Sequence, residues 1–194
     1  MRGERVLNDE ERRELLRRAR HAAARALGLP AGPSPGEPAG ALALPAAAFV
    51  TWRKEGRLRG CVGSVLPERA LAADVESNAV EALLHDPRFP PATPRDFSRY
   101  EVEVSVLGPL EPIAAPSDVE VGRHGLFVEK GSRAGLLLPQ VAREWGWDAE
   151  RFLEQVCLKA GLPGDAWRAP GKGLSVYRFS AEVFGESDFR PASA

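Results

Sequence analysis

The stretch GRLRGCVGS, residues 56–64, sets a thiol among cations: Cys61 follows Arg59 by two places and Arg57 by four. In a regular strand side chains two apart share a face, so Arg57, Arg59 and Cys61 are expected on one side, with Leu58 and Val62 on the other. A cation about 7 Å along the strand favours a thiolate by roughly 0.6 kcal/mol in water and about 2.4 kcal/mol at an effective dielectric near 20. Starting from a free thiol pKa of about 8.5, that makes a partly activated nucleophile. Gly60 and Gly63 flank the thiol, and glycine in a strand marks a bulge or a close approach by a ligand or by other backbone. The same residues also suit a packed core position. With Lys54-Glu55-Gly56 as a three-residue hairpin loop, Arg53 pairs with Arg57, Thr51 with Arg59 and Phe49 with Cys61, and free cysteine is among the most often buried residues.

Partners for such a thiol are few. His124, between glycines in GRHGL, is the candidate acid or base; His85 closes a helix and His21 sits among charged neighbours. Asn78 is the polar residue nearest a buried helical stripe, where it either caps a hydrogen-bond network or faces a cleft. Glu103 and Ser105 lie on the polar face of a strand and complete the candidate binding set. Three scattered histidines and two distant cysteines have no metal-ligand spacing, so no metal is expected. RGCVGS before a helix suggests a phosphate loop, but both GxxxxGK[ST] and GxGxxG are absent, and no cofactor is expected.

These residues need elements to place them. Asn8 and Glu11 form a capping box for an N-terminal helix within residues 1–29, ended by Gly28 and Pro30. Its arginines are interleaved with Glu10, Glu11 and Glu14 and read as a solvated outer face. Residues 30–45 form a Pro/Gly-dense surface loop. A hairpin follows over AAAFVTWR and RLRGCVGS, then a helix opened by Pro67, with Leu71, Val75, Ala79, Ala82 and Leu83 on its buried stripe. YEVEVSVL, residues 100–107, alternates strictly and is the clearest strand. Two further strands flank Lys130-Gly131-Ser132, a helix begins at Asp148 with Cys157 on its apolar side, and residues 174–179 close the sheet. Strands interspersed with helices and joined by hairpins predict an α+β fold on a mostly antiparallel sheet.

At 194 residues the chain suits one domain, or one domain with two lobes, large enough to bury a core. Its 26 basic and 27 acidic residues nearly cancel, which leaves no global field for nucleic acid or an anionic membrane. The charged start lacks the apolar core of a signal peptide, no apolar run reaches the roughly 18 residues of a membrane span, and the two cysteines form no disulfide framework. A cytoplasmic protein is the expectation.

GRLRGCVGS, DPRFPP, EVSVL, GRHGL, LLLPQV and CLKAGL, in that order over residues 47–179, resemble the AMMECR domain family. The resemblance implies a single α+β domain of two lobes around a cleft, with Arg59, Gly60, Cys61 and Gly63 as the family's signature. Asp86, Arg88, Phe89 and Pro90 also match, as do Ser105, Gly122, Gly125, Leu138 and Pro139; His124 matches only some members. It supplies no reaction. Prokaryotic members are similar to proteins encoded beside a Memo-like protein and a radical S-adenosylmethionine enzyme, which implies a part in a modification pathway with those two as partners. Three roles follow: a catalytic or substrate-holding component working at Cys61 and Arg59 on a small molecule or protein; a docking module with no chemistry of its own, anchored by Trp145 or Trp147; and an RNA binder using the arginines of the first helix with Arg53, Arg57 and Arg59, which the near-neutral charge disfavours.

Overall fold

The computed structural model describes residues 7–168 and 173–190. It has the α+β organisation expected, with four helices and seven strands paired antiparallel. The chain divides into two compact units, one holding the residues up to Leu107 together with those from Glu182 onward, the other running from Gly108 to Ala181.

In the first unit α1 (Asp9–Ala26) starts at the capping box foreseen, Asn8 Oδ1 accepting from the Glu11 N–H and Glu11 accepting from the Asn8 N–H. The hairpin of β1 (Ala48–Lys54) and β2 (Arg57–Gly63) is joined to β3 (Tyr100–Leu107) through β1. Ala48, Val50 and Trp52 of β1, with Val102 and Val104 of β3, are fully buried against α1 and α2 (Leu71–Leu84). Helix α2 begins at Leu71, not at Pro67, because residues 69–71 first pair with the preceding loop: Ala46 N–H donates to Arg69 O and Leu71 N–H to Leu44 O.

The arginines of α1 are not all solvated. Arg18 is only 5% exposed, with bonds to Glu14, Glu76 and the Gly36 carbonyl. Arg20 forks onto Glu186 at 2.5 Å for both bonds and lies over the Trp52 and Phe97 rings. Apart from Glu14, one helical turn before Arg18, their carboxylate partners lie far along the chain at Glu76 and Glu186, out of reach of any helical spacing.

The second unit has its own core. Here β5 (His124–Lys130) pairs with β6 (Arg133–Leu137) and with β7 (Leu174–Gly185), while β4 (Glu111–Pro112) adds to β7. The short α3 (Pro139–Glu144) and α4 (Ala149–Lys159), capped by Asp148, complete it. Phe152, Leu153, Val156 and Cys157 of α4 are buried with Leu126 and Val128 of β5. Burial raises the Cys157 thiol above its ordinary pKa, as befits a core residue.

Candidate functional site

The hairpin register differs from the expected one, and the difference moves side chains. The loop has two residues, Glu55 and Gly56, both left-handed at φ 54° and 73°, and Lys54 pairs with Arg57. Such a turn follows the right-handed twist of the strands, which is why two-residue loops prefer it. The missing loop residue reappears inside β2: Arg53 pairs with Leu58 but Trp52 with Gly60, leaving Arg59 as the extra residue of a bulge. Beyond it Thr51 pairs with Cys61 and Phe49 with Gly63. Alternation therefore breaks, and Arg57 no longer shares a face with Cys61. Arg57 stands opposite Lys54, on the helix side with Trp52, whereas Cys61 stands opposite Thr51 on the other side.

Both glycines of the motif have packing reasons. A Cβ on Gly60 would lie 1.7 Å from the Ala82 carbonyl oxygen, so α2 rests its main chain directly on β2 there. A Cβ on Gly63 would fall 2.3 Å from the Phe49 ring, which lies across it. On the thiol's face of the sheet the Phe49 ring thus lies beside Cys61, while α2 backbone presses on the opposite face.

Cys61 itself is half-buried. The Thr51 hydroxyl donates to its Sγ at 3.3 Å, and a donor at sulfur favours thiolate over thiol. Its main-chain groups point away from β1 and are met by the DPRFPP segment. Asp86 Oδ2 accepts the Cys61 N–H at 2.9 Å, and Arg88 Nη2 donates to the Cys61 carbonyl at 3.0 Å. Asp86 in turn accepts from the Arg88 N–H, Nε and Nη2 at 3.1, 2.9 and 2.6 Å. The Arg88 side chain holds the Asp86 carboxyl well below the usual carboxylate range; burial opposes this, and the Cys61 and Arg88 amides reinforce it. Arg88 is raised by Asp86 foremost, and the charge of Cys61 adds in the same direction. Two sequence motifs 25 residues apart thereby fix one residue on the edge strand of the sheet.

The remaining candidates divide. Thr51, Glu103 and Cys61 are in one row of the sheet, and Phe49, Ser105 and Gly63 in the next. Ser105 is 1% exposed, and its Oγ has no hydrogen-bond partner among the described residues. Arg59 is half-buried with no ion pair among the described residues. Asn78 belongs to a buried network: its amide donates to the Ala48 carbonyl and reaches Asp74, which also accepts from the Ala48 N–H, Ser64 and Arg69. That network takes up the first of the two roles open to Asn78, and Asp74 within it gave no signal beyond its helical position.

His124 belongs to the second unit, at the start of β5. Its Nδ1 accepts from the Glu120 N–H at 3.0 Å. Burial lowers its pKa, with Arg178 and Arg123 acting the same way against Glu120 and Glu111. The ring is therefore neutral at pH 7 with its proton on Nε2, a hydrogen-bond donor there and not a base. Among the described residues no three His, Cys, Asp or Glu side chains gather as a metal-ligating group, and no helix is long and apolar enough to cross a membrane. Thr51 and Asp86 are what the sequence reading left out of the site. Asp86 was visible in DPRFPP; Thr51 was displaced by the assumed register.

Comparison with known proteins places this geometry among relatives. The family model AMMECR1 matches residues 10–184. A protein of Thermococcus gammatolerans is 52% identical over 134 residues, which cover 66% of this chain and 64% of that one, so the match spans less than two thirds of that relative. A protein of Methanothermobacter thermautotrophicus is 49% identical over 144 residues, covering 71% of this chain and 74% of its own. Among solved structures, an uncharacterized protein from Pyrococcus horikoshii superposes with a TM-score of 0.80 at 40% identity, over 89% of each chain.

Proposed function

Because the chain belongs to the AMMECR1 family, we propose that it is a substrate-holding or catalytic component of a cytoplasmic modification pathway, working beside a radical S-adenosylmethionine enzyme and a Memo-like protein, with the β2 edge at Cys61 as its site. The observation that carries this is the clamp on Cys61. A buried carboxylate and a guanidinium are both committed to the N–H and C=O of one residue, while its thiol keeps partial exposure and a hydroxyl donor. Protecting a sheet edge needs only a charge or a proline; holding one side chain in one place needs bonds on both sides of it.

Limiting iodoacetamide with mass-spectrometric readout tests it, since Cys157 is buried and leaves Cys61 as the reporter. Cys61 should label faster than free cysteine at neutral pH, and Arg88→Ala should slow it toward the free rate. Labelling no faster than free cysteine anywhere between about pH 6 and 9 would remove the activated thiol.

A second reading has one observation of its own. Trp145 is 69% exposed and stacks on Trp147 at 6.0 Å, which in turn packs on the buried Phe152 ring. A rigid exposed tryptophan suits a docking module. A Trp145→Ala variant that lost partner capture while Cys61→Ser kept full pathway function would favour that reading over the first.

A further inference from the structure

Within the first unit a groove of about 580 Å3 opens between α1, the 34–38 segment and Glu76 of α2. That volume is in the range of small-molecule sites. It lies on a different set of elements from Cys61, and two bonds keep its outer wall in place. Arg18, itself buried, donates to the Gly36 carbonyl, and His21 Nδ1 lies 2.9 Å from the Ala31 carbonyl. Prolines at 30, 33, 35 and 38 stiffen the segment between and beyond those bonds. The wall is thus held in place by bonds of its own.

What the groove leaves unsatisfied indicates its ligand. Arg25 on the helix wall and Glu37 on the loop wall both line it, yet among the described residues neither forms an ion pair or a side-chain hydrogen bond. Opposite charges facing one groove without pairing leave room for a molecule that meets both. A carbonyl can only accept, so the His21 proton is on Nδ1, and Nε2 is a buried acceptor with no donor among the described residues. Ala22, Ala26 and Pro35 supply the apolar lining between the charges.

We propose that this groove binds a small zwitterion bearing one carboxylate and one ammonium group, as a free amino acid does. The Arg25 fork takes the carboxylate, Glu37 takes the ammonium group, and the alanine and proline surface takes the carbon skeleton. Each nitrogen of the buried Arg18 guanidinium already donates, to Glu14, Glu76 and Gly36, so its part is to position the wall.

Isothermal titration of the full chain with glycine, alanine, leucine, glutamate and lysine, each up to about 10 mM, tests this, with acetate and methylammonium as half-ligands. At least one amino acid should bind, and each half-ligand should bind at least tenfold more weakly. Arg25→Ala and Glu37→Ala should each weaken binding tenfold or more with an unchanged melting temperature, since both residues are exposed. Cys61→Ser should bind as the parent does, which separates this groove from the β2 edge. Absence of heat with every amino acid, acetate binding as tightly as the zwitterion, or both groove variants binding unchanged would each overturn the proposal.

Discussion

Asp86 serves three groups at once: it anchors the Cys61 N–H, folds Arg88 back on itself, and through Arg88 reaches the Cys61 carbonyl. A carboxylate held below its unfolded pKa of about 3.9 stabilises the fold fully above that value, and the contribution fades as pH falls toward the folded value. Asp86→Asn should therefore cost about 2 kcal/mol near pH 7, because the buried group loses its charge-assisted bonds to the exposed Arg88 guanidinium. Its loss of stability between about pH 4 and pH 2 should also be shallower than that of the parent. Melting temperature against pH for both proteins checks this; parallel acid limbs would show that Asp86 is not titrating as described. Arg59, half-buried and without an ion pair among the described residues, is the complementary case. Arg59→Lys should leave the melting temperature within about 2 °C of the parent and weaken binding of the β2-edge ligand tenfold or more, because the charge remains and the planar fork is lost. A large drop in melting temperature with binding intact would make Arg59 a strut.

At the scale of elements, the contact between α2 and β2 has no tolerance. Gly60→Ala sets a methyl against a main-chain oxygen that cannot rotate away, and should cost at least about 3 kcal/mol in urea unfolding. Gly56→Ala, with open space around it and φ 73°, should cost only about 1 kcal/mol. Similar losses from the two would refute the close approach. The strand at residues 100–107 and the capping box of α1 were legible because each is a local pattern with one solution. The hairpin was not. A three-residue loop with regular strands and a two-residue loop with a bulge contain the same residues and the same ends, and only the pairing partners choose between them. The site inherited that ambiguity: Cys61 and Arg59 were found by type, while the face, the Thr51 hydroxyl and the Asp86 clamp depended on tertiary contacts. Pro67 misled in the same way, since its fitness for a first helical turn says nothing of the loop strand that holds residues 69–71.

Among the described residues there are two cores that share no buried residue, and the sequence reading, which admitted two lobes, did not say where one ended. The first crossing, after Leu107, carries Gly108 and Pro109, but the second, before Glu182, falls inside the long strand β7, where no proline, glycine or change of composition marks it. The first unit closes on its own late residues. Glu182 accepts from the Leu7 N–H and from Arg12, and Glu186 accepts from Arg20 and the Val102 N–H. The second unit is entered and left at adjoining points, for the Gly108 N–H donates to the Ser180 carbonyl at 2.8 Å. Replacing residues 109–179 with a short glycine linker should therefore leave a chain that still melts cooperatively, with the buried Trp52 as its fluorescent reporter. A dye-binding species without a cooperative transition would show that the first core cannot stand without the insert.

That closure bears on how the protein is born. A ribosome releases its product from the amino terminus, and domains set as they emerge. Here α1 finds the carboxylates of Glu182 and Glu186 only after every residue of the insert has been made. Of the two units, the one begun first is the one finished last, and until then its first helix lacks the carboxylates of Glu182 and Glu186.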